Sequence, residues 1–346
     1  MDLERLLWLG IYVKLRSVFK CIKLFEFGDP EEVLNELGFK REEVLDIAYE
    51  ELEKADKKRV KILFFKEFRD FTLAFKYPPL FLYAVGNFKK AFEIPLIGVV
   101  GTRKPTNYGK EVTVDVTKQL VKSGLGVISG MARGIDTIAH KTTLKEKGYT
   151  VGILGSGIDV IYPPENKKLF KDVIESGGCV MSEFPFGTPP RKENFPIRNR
   201  IISGFSRAII VVEAAKKSGT LITAKWALEQ GKEVFAVPGS VFSPQSQGTH
   251  FLIKQGAHPL TSVKDLLDVL GFELTTEKSS NSSEEELTTE EKRVLSVVSD
   301  YPQHVDELIS KLQISAFELL SLLTELELKG LIEMLPGKYV KLKPRH

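Results

Sequence analysis

Six times between Leu96 and Gly239 the chain runs a short apolar strand into a Gly-, Ser- or Pro-rich loop and then into a helical pattern. The passages are LIGVVGTRK, GVISGMARG, TVGILGSG, CVMSEFPFG, AIIVVEAAKKSG and EVFAVPGS. Short Val/Ile/Leu runs that alternate with helices predict an α/β domain built on a parallel sheet covered on both faces. Ligands of such sheets bind beyond the carboxyl ends of the strands, so these loops are expected to line one edge. They carry arginines and lysines in place of a catalytic constellation, which points to a surface that grips phosphate.

Charge is divided unevenly along the chain. Residues 95–270 carry a net +8, residues 273–346 a net −5, and residues 1–94 balance. The positive excess thus sits in the segment that holds the strand-edge loops, as expected where a domain meets a polyanion. The two cysteines, Cys21 and Cys179, frame neither a Cys-x-x-Cys nor a His cluster, so no metal is expected and a reducing cytoplasm fits best. The apolar stretch LLWLGIYVKL is short and interrupted by Lys14; it reads as a buried helix, and no membrane span is expected.

Three domains follow. Residues 1–75 read as a small helical domain of the SAM or helix-hairpin-helix kind, with breakers at Gly10, Gly28 to Pro30 and Gly38. IYVKLR stands where a DNA-binding hairpin would need glycines, so a structural or protein-contact role is expected there. Residues 76–272 hold the parallel sheet, with YPPLFLYAVGN leading into it. Residues 273–286, ELTTEKSSNSSEEE, have the composition of a flexible linker. Residues 287–346 give three helical patterns and the hairpin EMLPGKYVKL, a winged helix whose third helix, SAFELLSLLTELEL, contains three Glu and neither Lys nor Arg. Protein contact is expected of that helix, since phosphate contact needs donors.

Two cofactor motifs fail. Seven residues separate Gly101 from Gly109-Lys110, and Glu111 stands where a P-loop needs Ser or Thr, which excludes an ATPase. Gly155-Ser-Gly157 follows the third strand and Val160 breaks the dinucleotide fingerprint, so no nicotinamide cofactor is expected either.

Anion cradles remain. Gly101 permits close approach of the backbone after the first strand, and Arg103 offers a planar fork to phosphate. Ser129 and Gly130 precede a helix whose N-terminus attracts anions, with Arg133 and Gly134 beside them. Lys216, Lys217, Ser218 and Gly219 form a basic nest before the next helix. RKENFPIRNR sets Arg191, Lys192, Arg198 and Arg200, with Asn199, around Phe195, basic groups for a backbone and a ring for an unpaired base. The alternative for Phe195 is a place in the core.

GTRKPTNYG, SGMARGIDTIAH, LGSGIDVIYPPEN, NFPIRNRIISGFSRAIIVVEAAKKSGTLITA and EVFAVPGS resemble the signature blocks of the bacterial DNA-processing protein A family, DprA/Smf, over roughly residues 77–260. The resemblance implies an extended Rossmann-like sheet flanked by a small N-terminal helical domain and a C-terminal winged helix. It further implies a homodimer that binds single-stranded DNA and loads RecA recombinase in natural transformation (competence) or homologous recombination, without catalysis or cofactor. By motif, the DNA contacts fall at Gly101, Arg103, Ser129, Gly130, Arg133, Gly134, Arg191, Phe195, Arg198, Asn199, Arg200, Lys217, Ser218 and Gly219. The implied dimer surface lies in GTHFLIKQGAHPL, at His250, Phe251, Ile253 and Leu260.

A competing class is a Rossmann-like nucleotide hydrolase acting on a phosphorylated nucleoside, with Glu213 and Arg133 as its groups. Asp136 and Glu213 are read instead as loop-ordering or helix-terminus groups, and His140, His250 and His258 form no triad. A duplex-reading regulator is disfavoured by the charge of the third winged-helix segment.

Overall fold

In a computed structural model, residues 2–68, 77–272, 288–299, 303–329, 331–335 and 337–342 are described, and the chain divides into two compact units, Met1–Thr275 and Thr276–His346. The linker expected at 273–286 and the boundary expected at 75 lie outside the described residues.

Four helices begin the first unit: α1 (Leu3–Leu15), α2 (Val18–Phe27), α3 (Pro30–Leu37) and α4 (Arg41–Lys57). Asp2 caps α1 by accepting from the Arg5 N–H at 2.9 Å. Gly38 ends α3 in the left-handed region, as a C-terminal glycine should. Gly10, expected to break a helix, lies inside α1 instead. A Cβ there would collide with the Val44 carbonyl oxygen, so the glycine serves the close crossing of α1 over α4.

The sheet that follows has nine strands. Six are those expected: β3 (Leu96–Val100), β4 (Gly126–Ser129), β5 (Thr150–Leu154), β6 (Cys179–Ser182), β7 (Ser206–Val211) and β8 (Glu233–Ala236). They pair in parallel, and nearly every residue in them is buried, because helices cover both faces. The helices are α5 (Asn107–Lys122), α6 (Ile135–Lys145), α7 (Lys167–Glu175), α8 (Asn194–Phe205), α9 (Thr220–Glu229), α10 (Gln247–Lys254) and α11 (Val263–Leu270). A short β9 (His258–Pro259) extends one edge.

At the other edge, β1 (Lys61–Phe64) and β2 (Phe81–Gly86) add two antiparallel strands, and β1 comes from the region expected to be helical. The N-terminal helices therefore share one core with the sheet: Trp8, Tyr12, Phe64, Phe81 and Phe184 pack in a single buried cluster.

The strand order is β1-β2-β6-β5-β4-β3-β7-β8-β9. The chain steps outward from β3 to β6, then returns through α8 to place β7 on the free side of β3. The order reverses between β3 and β7, and the crevice beyond their carboxyl ends is where ligands of such sheets bind.

The second unit is a winged helix: α12 (Thr289–Leu295), β10 (Gln303–His304), α13 (Val305–Leu312), α14 (Ala316–Leu328), β11 (Ile332–Leu335) and β12 (Tyr339–Leu342). Leu319, Leu322, Leu323 and Leu326 of α14 are buried, while Phe317 is 86% exposed. Among the described residues no helix is long and apolar enough to cross a membrane.

Candidate nucleic-acid interface

A cavity of about 420 Å³ opens at the reversal point. Five segments line it: Gly101–Lys104 after β3, Ala132 and Asp136 after β4, the first turns of α8, the stretch from Ala215 into the start of α9 after β7, and Gln245 after β8.

The loop after β3 is pinned by Glu213. This buried carboxylate accepts from the Thr106 N–H at 2.9 Å and the Thr106 hydroxyl at 2.5 Å, and its own carbonyl accepts from the Thr102 N–H at 2.8 Å. Thr106 Oγ1 in turn caps α5 at the Gly109 N–H. Glu213 is thus a loop-ordering group. What the pinning leaves outside is Arg103, exposed, with its guanidinium carbon 5.2 Å from the centroid of the Phe195 ring. No carboxylate among the described residues lies within ion-pair distance of it.

The loop after β4 is the largest departure from expectation. Gly130 and Ala132 donate their N–H groups to the Asp136 carboxylate at 3.1 and 3.3 Å, so the chain's own anion fills the turn expected to cradle a phosphate. Ser129 is buried and donates its hydroxyl to the Val99 carbonyl at 2.7 Å, joining β4 to β3. Arg198, only 4% exposed, donates to the Gly130 carbonyl at 2.5 Å and to the Ile153 carbonyl, bracing the ends of β4 and β5. Burial lowers its guanidinium to about 10 against the opposing pull of Asp136, and burial raises Asp136. Ser129 and Arg198 are therefore supports of the cavity wall and not free phosphate donors.

Arg133 lies in the turn before α6, exposed and paired with Glu165. Gly134, at φ 76°, lies where a Cβ would strike the Thr102–Arg103 backbone, which brings the two loops into contact. After β7, Lys216 and Lys217 occupy an exposed turn. Ser218 Oγ accepts from the Thr220 N–H at 3.2 Å, and Thr220 Oγ1 donates to the Gly101 carbonyl at 3.0 Å, which ties the start of α9 to the loop after β3. A Cβ on Gly219 would meet open space, and Asn199 reaches its carbonyl at 3.5 Å.

Phe195 belongs to the cavity and not to the core. It is half-buried, its ring centroid 5.9 Å from that of Tyr162, and a Cβ on Gly155 would press into it. Arg200 is a correction: it is wholly buried and paired with Glu183, so it cannot reach a ligand in the cavity. Arg191 is exposed but lines a different cavity.

Of the dimer candidates, Phe251 is 51% exposed on α10 and Ile253 is partly buried against the sheet core. His250 Nε2 lies 3.0 Å from the Gly239 carbonyl oxygen. Leu260 is a second correction: it is buried in the core beside Val263 and Leu266 and offers nothing to a partner. Thr102, Thr106, Thr220 and Tyr162 escaped sequence reasoning, although each stands within two residues of a glycine or basic residue that it singled out or in the quoted blocks.

An extended Rossmann-like domain with a basic, aromatic-bearing crevice at its reversal point, joined to a winged helix, defines a class of nucleic-acid-handling protein. The model for DNA recombination-mediator protein A matches residues 63–271 and that for the DprA winged helix domain residues 278–338, and the chain belongs to this DprA/Smf family. It is 41% identical to protein Smf of Escherichia coli over 253 residues, covering 71% of this chain and 68% of that one. The structure of DNA processing protein A from Streptococcus pneumoniae aligns with a TM-score of 0.59 at 34% identity, covering 66% of this chain and 82% of that one. DNA processing protein A from Helicobacter pylori, whose structure concerns its single-stranded DNA binding mode, aligns with a TM-score of 0.53 at 30% identity over 58% of this chain and 91% of its own.

Proposed function

We propose that this protein binds single-stranded DNA in the crevice between β3 and β7, as a homodimer, and loads RecA recombinase onto it during transformation or homologous recombination, without catalysis. The observation that supports this most is Arg103 resting over the half-buried ring of Phe195 in the lining of the cavity, its guanidinium without an ion-pair partner among the described residues. Arg103, Lys217 and the open start of α9 at Ser218 and Gly219 take phosphates, and Phe195 takes a base. Gly101, Gly130 and Gly134 keep the backbone close to the strand, Asn199 stands at the rim, and Arg133 joins once phosphate displaces Glu165. Ser129 and Arg198 hold the wall in place. That the Helicobacter pylori relative is described as binding single-stranded DNA supports the single-strand part of this reading.

The hydrolase reading finds little in the site. Glu213 has both carboxylate oxygens engaged by Thr106, and Asp136 Oδ2 accepts from the Gly130 and Ala132 N–H groups. Gel-shift comparison discriminates the readings: length-dependent binding to single-stranded oligonucleotides supports ours, whereas preference for a duplex, or release of free base from a nucleotide, contradicts it.

A further inference from the structure

A second cavity, of about 500 Å³, lies on the other side of the first turn of α8. That turn is the wall between the two: Phe195, Pro196, Arg198 and Asn199 line the first cavity, whereas Arg191, Asn194 and Ile197 line the second. Its far wall is the corner between α1 and α2, a segment that the proposed function does not use.

Two exposed arginines line this cavity. Arg191 comes from the loop before α8 and Arg16 from the corner, and neither has an ion-pair partner among the described residues. Arg16 is held in the left-handed region, at φ 50° and ψ 25°, by its N–H bonded to the Tyr12 carbonyl at 3.3 Å. That conformation is unfavourable for an ordinary side chain. Ser17 then opens α2 with no side-chain cap on the helix's first turn, which leaves donors on the same side as Arg16.

Phe19 lines the cavity too, half-buried, its ring edge-on to Tyr77 and 5.7 Å from the guanidinium carbon of the buried Arg200. Of the carboxylates in the lining, Glu51 is committed to the Tyr83 hydroxyl, the Phe186 N–H and Lys54. Glu193 alone therefore opposes the two arginines. Two arginines beside an apolar wall that includes Val13, Phe184 and Ile197 suit a nucleotide better than a free phosphate, which would leave that wall bare.

We propose that this cavity is a second nucleotide subsite on the same strand, with Arg16 and Arg191 on the next phosphates. The proposal rests on single-strand binding in the first cavity. Arg191 and Phe195 are four residues apart, so their Cα atoms are at most about 14 Å apart. That span is at most about four nucleotides at the B-form rise per strand, so a dinucleotide fits the first cavity alone and a longer oligonucleotide reaches both.

The test is fluorescence anisotropy on the full chain with oligothymidylates of about 2 and about 16 nucleotides, one below and one at the upper end of common single-strand site sizes. The variants are Arg16→Asn with Arg191→Ala, Asn being tolerant of the left-handed region, and separately Arg191→Glu, a surface change that spares the corner. Both should bind the long oligonucleotide at least tenfold more weakly and the short one within twofold of wild type, and the double variant should flatten the salt slope on the long one by about 1.4. Equal losses on both lengths, or no loss on either, would overturn the subsite. If Arg103→Ala weakens binding while these variants do not, only the subsite fails; if wild type binds no single strand, the reading beneath it fails too.

Discussion

The guanidinium of Arg103 rests over the ring of Phe195, its central carbon 5.2 Å from the ring centroid. A cation so placed is attracted to the ring face by about 0.5–1 kcal/mol at an exposed site. The phosphate donor and the stacking platform therefore occupy each other before a ligand arrives. A strand that draws Arg103 onto a phosphate uncovers Phe195 for a base, and the two contacts form together.

Phe195→Ala should cost roughly 1–3 kcal/mol of single-strand affinity with little change in salt slope, because stacking releases few counterions. The ring is half-buried, so the melting temperature should fall by less than for a fully buried Phe, whose truncation costs roughly 3–5 kcal/mol. Titrations beside a melting curve check both.

His140 gives a pH signature to the fold. It is wholly buried with Nδ1 2.7 Å from Thr150 Oγ1, and burial lowers it to about 3. The unfolded chain takes up that proton near pH 6.5 and the folded chain does not, so stability is lost as pH falls from about 6.5 towards 3. Urea midpoints between pH 7 and pH 4 should decline less for His140→Gln than for wild type. Parallel declines would show that other groups set the acid limit.

Phe251→Glu should give a soluble monomer with an unchanged melting temperature, since the side chain is exposed and its loss opens no cavity. Sedimentation reads this directly, and a variant that stays dimeric moves the interface elsewhere.

Residues 1–272 alone should bind single strands at least as tightly as the whole chain. The removed unit is net negative, and the exposed face of α14 presents Phe317, Leu320 and glutamates instead of phosphate donors. A large loss with the fold intact would assign DNA contact to the winged helix.

The six central strands were legible because each is a short, nearly continuous run of buried aliphatic residues, a pattern that depends on local sequence alone. β1 was not legible, since KILF becomes a strand only by pairing with FLYAVG some 20 residues later. The site divides along the same line. Arg103 and Lys217 stayed outside, as loop position suggests. Arg198 went inside to donate to the Gly130 and Ile153 carbonyls in the field of Asp136, and Arg200 to pair with Glu183. Nothing in RKENFPIRNR marks which arginine has a buried partner. Likewise the turn at Gly130 reads as an anion cradle until Asp136, six residues on, folds back to fill it.

The most direct measurement is the salt dependence of binding to one single-stranded oligonucleotide and to a duplex of equal length, for wild type and Arg103→Ala. Wild type should prefer the single strand, with log K falling linearly as log salt rises. Arg103→Ala should bind every sequence more weakly, with a slope flatter by about 0.7, the loss of one phosphate contact. A folded Arg103→Ala protein that binds like wild type, or a wild type that prefers the duplex, would contradict a single-strand cradle between β3 and β7.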